Sequence, residues 1–266
     1  EIGLNGARID CSMGGLSNWY SPIGLRASAA GLMAGKTVVS ALYQGFTNVN
    51  PNAIILPENF HPSPAYAPVT DVFYDMPLYR CIYNLNQRNL PIAQYVKELQ
   101  AFLTAEHETS VEGQLKLRFL GNHDTVSWTF DAARAQKIYG TEKAKAMWMV
   151  TSWIDGVMFI YQGDENPSEY HLQGQNLEEF FTEVIKDKRE LLPNTLDIEY
   201  VESGSAIFAF RRFNEDTSRL VLINLSGEEV TYSLNQAPDV LASIGNYTNG
   251  QSSITLGAYA AVILNQ

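Results

Sequence analysis

The hydrophobic positions of the first 195 residues form short apolar runs that alternate with longer segments of helical spacing. The short runs are predicted strands: "GARID" at 6–10, "AIILPE" at 53–58, "TDVFYD" at 70–75, "LKLRFLG" at 115–121 and "VMFIYQG" at 157–163. Helix-length segments lie mostly between these strands. Because this alternation is typical of βα units, we predict an α/β fold with parallel strands.

Helical signals are clearest in three segments. Residues 176–192 carry apolar residues at helical spacing, with Asn176 and Glu179 as a predicted capping box and Pro193 after the end. Residues 141–154 and 28–45 are also predicted helices.

The pattern changes after about residue 195. Short β runs, "AIFAFRRF", "RLVLINL", "VTYSL" and "AYAAVIL", are separated by polar turns such as "NEDTS" and "SGEE". We therefore predict that residues 196–266 form an antiparallel β-sandwich.

Composition narrows the choice of partners. A formal net charge of -11 argues against binding to nucleic acid or to an anionic membrane surface, and it leaves neutral ligands open. No run approaches the roughly 20 apolar residues that cross a bilayer. Two cysteines are too few for a disulfide framework or a cysteine metal cage. The compartment stays undetermined.

Carboxylates follow three of the predicted strands. Asp10 ends "GARID", Glu58 follows "IILP", and Asp124 lies just beyond "RFLGNH". In parallel βα folds, ligands bind at the C-terminal ends of the strands. One such Asp taken alone is often a helix cap or a loop residue, but three together favour a site.

Cleavage of a glycosidic bond requires this kind of set. It uses a carboxylate nucleophile, a carboxylic acid and polar groups that stabilise an oxocarbenium-like transition state. Arg8 lies two positions before Asp10 on the same strand, so both side chains point to the same side, where the guanidinium can keep the carboxylate ionised.

Four segments resemble motifs of the α-amylase family of glycoside hydrolases, glycoside hydrolase family 13. "GARID" resembles its strand-4 motif, "ILPEN" at 55–59 its strand-5 motif, "FLGNHDT" at 119–125 its strand-7 motif and "GVMFIYQGDE" at 156–165 its strand-8 sequence. The resemblance implies that residues 1–195 are the C-terminal portion, strands 4 to 8, of a catalytic (β/α)8 TIM barrel. Residues 196–266 would be the sandwich domain that follows it.

The resemblance also implies roles for individual residues. Asp10 would be the nucleophile, Glu58 the general acid and then base, and Asp124 the group that binds sugar hydroxyls and stabilises the transition state. His123 would lie beside Asp124, and Arg8 would orient Asp10. The activity implied is that of a retaining α-glycosidase acting on α-glucosidic bonds.

Several aromatic residues are candidates for stacking on sugar rings. Trp128, four residues after Asp124, is the preferred one. Trp19, Tyr20, Tyr66 and Tyr161 are equally compatible with ordinary packing.

Departures from the family pattern concern specificity. Met13 and Gly14 occupy the positions where members that cut α-glucans often carry Lys-His, so recognition of the leaving group is expected to differ. Pro57 replaces the commoner Gly, and Gln162 replaces an aromatic residue.

The resemblance begins at strand 4 of the barrel. An open half barrel would expose apolar edges, so we expect the remainder to come from the N-terminal part of the same gene product or from a second chain. A domain-swapped pair of half barrels is an alternative.

No cofactor is expected for the chemistry, and a structural calcium is left open. His61 and His171 are expected to be surface residues and not metal ligands.

The sequence alone leaves other functions open. A transglycosidase or a sugar phosphorylase of the same family would use the same carboxylates. A non-catalytic relative that serves as a binding or assembly subunit is a further alternative, although such relatives usually lose one of the carboxylates.

Overall fold

A computed structural model describes residues 5–10, 12, 34–58, 65–111 and 113–266. The chain divides into two units. The first unit comprises Glu1–Pro77 with Thr109–Leu117, and the second comprises Leu78–Glu108 with Arg118–Gln266.

The first unit contains a parallel strand pair connected through a helix. Strand β1 (Gly6–Ile9) pairs with β2 (Ile54–Pro57), and helix α1 (Ala34–Val49) precedes β2. Gly6 lies opposite Ile54, where an added Cβ would be 2.2 Å from the Ile54 carbonyl oxygen. A side chain at position 6 would therefore push the strands apart.

A second parallel pair follows in the same unit. Strand β3 (Val72–Tyr74) is buried along its whole length and pairs with β4 (Leu115–Arg118), with Val72 opposite Leu115. In chain order, helices α2 (Met76–Gln87) and α3 (Ile92–Glu108) separate these strands. The predicted alternation of parallel strands and helices is confirmed.

The second unit contains helices α4 (His123–Ser127), α5 (Ala135–Tyr139), α6 (Thr141–Trp153) and α7 (Glu178–Glu190), and the two-residue strand β5 (Val157–Met158). Helix α6 lies at the centre of its apolar core. Trp148 and Trp153 on this helix are almost fully buried, and the Trp153 indole N–H donates to the Val184 carbonyl on α7 at 3.2 Å.

The predicted capping box of α7 is wrong. The helix begins at Glu178, and its N-cap residue, Leu177, makes no side-chain capping hydrogen bond. Asn176 lies one residue further out, where its side-chain oxygen accepts the Glu178 N–H at 2.9 Å. The Asn-Glu spacing matched the motif, but the chain enters the helix one residue later.

Residues from 197 onward form antiparallel sheets, as predicted. Five strands are ordered β10-β13-β8-β7-β6, and three are ordered β11-β12-β9. Their bounds are β6 Asp197–Val201, β7 Ile207–Phe213, β8 Ser218–Asn224, β9 Val230–Ser233, β10 Asp239–Ile244, β11 Tyr247–Asn249, β12 Ser253–Leu256 and β13 Ala261–Asn265.

Both faces of the five-stranded sheet are buried at its central strands β7, β8 and β13. Ile207 and Ala209 on β7 pack in one apolar cluster with Ile254 and Leu256 of the smaller sheet. Phe208 and Phe210 alternate with them and join the helical core instead. The continuous apolar run "IFAF" therefore reflects a strand that is covered on both sides.

Among the described residues, none of the helices combines the length and apolar character that a membrane crossing needs.

Candidate active site

The first unit brings Arg8, Asp10 and Glu58 together. Strands β1 and β2 are parallel and in register, and the ladder continues past Pro57 because the Glu58 N–H donates to the Ile9 carbonyl at 2.8 Å. Both carboxylates therefore lie at the C-terminal ends of neighbouring strands, as the sequence predicts.

The Arg8 guanidinium binds both carboxylates. One terminal nitrogen donates to Asp10 Oδ1, and the other lies 2.8 Å from Glu58 Oε2. The Asp10 side chain is 71% exposed and the Glu58 side chain only 7% exposed. The pair thus consists of one accessible carboxylate and one enclosed carboxylate on a common cation.

Tyr74 at the end of β3 is a further contact of Arg8 that the sequence did not single out. The guanidinium carbon lies 5.8 Å from the centre of the Tyr74 ring. Burial lowers the pKa of Arg8, but hydrogen bonds to Tyr74 and Asp10 outweigh that effect and raise its pKa overall. The sequence did contain a signal for Tyr74, since it is a polar aromatic residue at the end of the buried run "VFY".

The second unit brings His123, Asp124 and Trp128 together. Asn122 is the N-cap of α4, since its side-chain oxygen accepts the N–H groups of Asp124 and Thr125, each at 3.0 Å. The Thr125 hydroxyl accepts the Asn122 N–H in return at 2.9 Å, which completes a reciprocal capping box. Asn122 therefore braces the turn that presents Asp124.

The Asp124 carboxylate accepts a hydrogen bond from an exposed tryptophan. The Trp128 indole N–H donates to Asp124 Oδ1 at 2.9 Å, and His123 Nε2 lies 3.5 Å from the same oxygen. Asp124 is buried, whereas Trp128 is 72% exposed. One indole thus fixes the carboxylate with its N–H and leaves its ring open to solvent.

A second ion pair lies in the segments after β4 and β5. Arg134 donates to Asp164 Oδ1 at 2.8 Å, and its guanidinium carbon lies 5.0 Å from the centre of the Tyr161 ring. Burial raises the pKa of the Asp164 carboxyl to about 6, although Arg134 acts in the opposite direction. Asp164 belongs to the strand-8 segment "GDE" noted in the sequence, but neither residue was predicted as part of a site.

Asp10 and Glu58 belong to the first unit and Asp124 to the second, and a common cleft for all three stays a prediction.

Of the other aromatic candidates, Tyr66 packs in the small apolar core around Val39 and donates to the Ser12 carbonyl at 3.2 Å. Five residues discussed above lie outside the described part of the chain: Met13, Gly14, Trp19, Tyr20 and His61.

Comparison with known proteins supports the family resemblance. Residues 207–263 match the family model described as the α-amylase SusG C-terminal domain. No curated protein matches the sequence.

Solved structures of α-amylases share the fold of almost the whole chain. Eubacterium rectale Amy13B is 14% identical with a TM-score of 0.71, over 99% of this chain and 60% of that one. An α-amylase from Lactobacillus plantarum is 16% identical with a TM-score of 0.70, over 98% and 62%. An α-amylase from H. orenii is 15% identical with a TM-score of 0.68, over 90% and 58%.

These comparisons confirm the resemblance to the α-amylase family and the predicted fold class, a partial (β/α)8 barrel followed by a β-sandwich. The chain spans about 60% of the length of the solved relatives that it matches. At these identities the solved structures establish the fold and leave the activity of this chain to be proposed.

Proposed function

We propose that the complete protein is a retaining α-glycosidase of the α-amylase or α-glucosidase type, cleaving α-glucosidic bonds in oligo- or polysaccharides. The observation that carries this proposal is the Arg8 guanidinium bound to the carboxylates of Asp10 and Glu58 at the ends of neighbouring parallel strands. The likeness to α-amylases supports the choice of substrate class. The remaining barrel strands would come from the N-terminal part of the same gene product or from a second chain.

In the proposed reaction, a carboxylate oxygen of Asp10 attacks the anomeric carbon. The bond from that carbon to the leaving oxygen breaks, and Glu58 gives its proton to that oxygen. Glu58 then removes a proton from water, which attacks the anomeric carbon and releases Asp10 with net retention. A retaining pair needs carboxyl groups only about 5–5.5 Å apart, and binding to two nitrogens of one guanidinium favours such a short separation.

Asp124, His123 and Trp128 are proposed to hold the sugar whose bond is cleaved. The Asp124 carboxylate would accept hydrogen bonds from sugar hydroxyls and stabilise positive charge at the anomeric carbon. The exposed ring of Trp128 offers an apolar face to a sugar ring. This chemistry requires no cofactor, and the substrate is neither nucleic acid nor membrane.

The test uses the complete protein and an aryl α-glucoside. For Asp10→Asn we expect turnover to fall by at least about 10⁴-fold, because the nucleophile is removed. For Glu58→Gln we expect turnover to fall by about 10²–10⁴-fold. The fall should be smaller for substrates whose leaving group needs no proton. NMR of the first product should show the α-anomer.

Asp216→Asn, in an exposed turn between β7 and β8, is the matched control and should retain wild-type turnover. Full activity of Asp10→Asn, or a β-anomer as first product, would refute the proposal. Transfer to a sugar acceptor or to phosphate would appear in the product spectrum. It would identify the transglycosidase or phosphorylase alternative.

A further inference from the structure

The turn that follows α4 contains two residues in the left-handed backbone region. Phe130 has a φ angle of 54° and Ala132 one of 46°. This region is crowded for any residue with a Cβ, and a bulky residue rarely adopts it. Such a conformation persists only where the surrounding structure holds it, and it is often found next to functional groups. We call residues 128–132 the Trp128 turn, and its two strained positions imply strong restraints on it.

The first restraint is the packing of Phe130 against two tyrosines of α2. Its ring centre lies 4.9 Å from that of Tyr79 and 5.0 Å from that of Tyr83, and both pairs have the edge-to-face geometry that aromatic rings prefer. Tyr79 is 0% exposed, and its ring also stacks on that of Phe119, directly after β4, at 5.8 Å. The Phe130 ring is therefore held by aromatic residues that are themselves fixed in the core.

Asp131 adds polar contacts to the same helix. The Gln87 side-chain amide donates to Asp131 Oδ2 at 3.4 Å. A hydrogen bond to Asp131 is also the main cause that raises the pKa of Tyr83. Tyr83 and Gln87 are four residues apart and lie on the same face of α2. Two consecutive residues, Phe130 and Asp131, thus fix the Trp128 turn to α2.

The other end of the Trp128 turn contacts Asp124. The backbone N–H groups of Trp128 and Thr129 both donate to the Asp124 carbonyl at 3.1 Å, and the Trp128 indole N–H donates to the Asp124 carboxylate at 2.9 Å. Because Trp128 is 72% exposed, packing does little to hold its ring in place. The position of the indole is therefore set by the backbone, and Phe130, two residues later, anchors that backbone.

We propose that Phe130 is a positioning residue, which holds the Trp128 turn against α2 and thereby keeps the Trp128 indole N–H on the Asp124 carboxylate. The left-handed backbone at Phe130 allows one aromatic ring to pack on α2 while another, two residues earlier, stays open to solvent. The consequence for catalysis rests on the proposed function, whereas the consequence for the indole does not.

Nuclear magnetic resonance of the complete protein, labelled with ¹⁵N-tryptophan, reports on the Trp128 indole N–H directly. Its resonance is assigned by its loss in Trp128→Phe. In Phe130→Ala we expect this resonance to shift and its proton to exchange faster with water, because the hydrogen bond to Asp124 is loosened. The indole resonances of Trp148 and Trp153, which are buried in the helical core, should stay in place and show that the fold is intact.

Two further variants at position 130 accompany the alanine. Phe130→Tyr keeps the ring and should restore the wild-type spectrum. Phe130→Leu keeps an apolar side chain without a ring, so it preserves more of the packing and should show the same shift as the alanine to a smaller extent. A Trp128 resonance that stays at its wild-type position in both Phe130→Ala and Phe130→Leu would overturn the proposal.

The kinetic test is a double-variant cycle with an aryl α-glucoside. We expect Phe130→Ala to lower kcat about tenfold with a smaller change in KM, as for the loss of a hydrogen bond to a charged group. Because Trp128→Phe removes the same contact, the double variant should be no slower than the slower single variant. Losses that multiply to about 100-fold would show that Phe130 acts independently of Trp128 and would overturn the proposal.

Tyr247→Ala is the matched control, because Tyr247 is an aromatic residue of similar exposure on β11, and it should keep wild-type kinetics. The two tests separate the positioning role from the proposed function. The resonance measurement needs no turnover, so a shifted indole supports the role of Phe130 even where the protein shows no glycosidase activity. In an active protein, a wild-type kcat for Phe130→Ala would overturn the proposal.

Discussion

At the scale of single residues, one guanidinium organises the first half of the candidate site. Arg8 contacts Asp10 and Glu58 with different nitrogens and also touches Tyr74. A planar fork can serve several acceptors in fixed directions, whereas an ammonium is a compact charge on a flexible stem. The position therefore requires arginine and not merely a positive charge.

Arg8→Lys in the complete protein tests this requirement. We expect kcat/KM on an aryl α-glucoside to fall by about 10²-fold, because one ammonium cannot hold both carboxylates and displacements of about 1 Å have effects of that size. Arg189→Lys, at an exposed pair on α7, is the control. Wild-type kinetics for Arg8→Lys would show that the charge alone suffices.

Trp128 combines two properties that substitution can separate. Phenylalanine keeps an aromatic ring but removes the N–H that binds Asp124 at 2.9 Å. For Trp128→Phe we expect kcat to fall about tenfold with a smaller change in KM, because a hydrogen bond to a charged group is lost. Trp128→Ala should raise KM as well. Equal kinetics for wild type and Trp128→Phe would assign the residue to sugar stacking alone.

At the scale of elements, a second arginine joins parts of the fold that are distant in sequence. Arg212 on β7 is 0% exposed. Its guanidinium donates to the carbonyls of Trp153 at the end of α6, Pro193 and Leu196, at 2.8–3.1 Å. Burial is the main cause that lowers its pKa. The bonds tie the end of α6 and the turn after α7 to the first strands of the sandwich.

Arg212→Lys should destabilise the fold. An ammonium cannot reach all of these carbonyls, so buried acceptors are left unpaired, and we expect a loss of about 2–4 kcal/mol in the free energy of unfolding. The neighbouring Arg211→Lys is the control and should change it by less than about 0.5 kcal/mol, because Arg211 makes an exposed pair with Glu199. Urea denaturation of both variants measures the difference. Equal stabilities would contradict this role.

Prediction of the elements succeeded where the signal was local. The runs of β1 to β4, β7 to β9 and β13 were each recognised from the sequence, although β5 extends only over Val157–Met158. Strands β6, β10, β11 and β12 were not recognised. Each of these strands carries polar residues that interrupt its apolar pattern, so none of them forms a long apolar run.

At the scale of the whole molecule, we expect stability to depend on pH through Lys188, a lysine that lies near two arginines. Lys188 on α7 donates to the Ile154 carbonyl at 2.5 Å. Burial, together with the nearby positive charges of Arg212 and Arg118, lowers its pKa from 10.5 to about 6. The folded state thus favours the neutral amine at pH values where the unfolded chain keeps the proton.

The sign of the effect follows from proton binding. Between pH 6 and 10.5 the unfolded chain binds more protons at this position, so Lys188 makes stability rise with pH, by up to about 1.4 kcal/mol per pH unit. Lys188→Met should flatten this rise when urea denaturation is followed at pH 6, 8 and 9.5. Lys186→Met, at an exposed position of α7, should keep the wild-type slope. Parallel slopes for wild type and Lys188→Met would refute the prediction.

The sequence by itself determined the order of parallel βα units and the antiparallel C-terminal sheets, and it placed Asp10, Glu58 and Asp124 just after strands. Hydrophobic period and strand ends are local properties, so a short stretch of chain suffices to reveal them. Only the tertiary structure decided that Arg8 holds both Asp10 and Glu58, and that Arg212 is buried among carbonyls. The contact of Arg8 with Glu58 and those of Arg212 with Trp153, Pro193 and Leu196 join residues from 16 to 59 positions apart. Contacts over such separations depend on the packing of the folded chain.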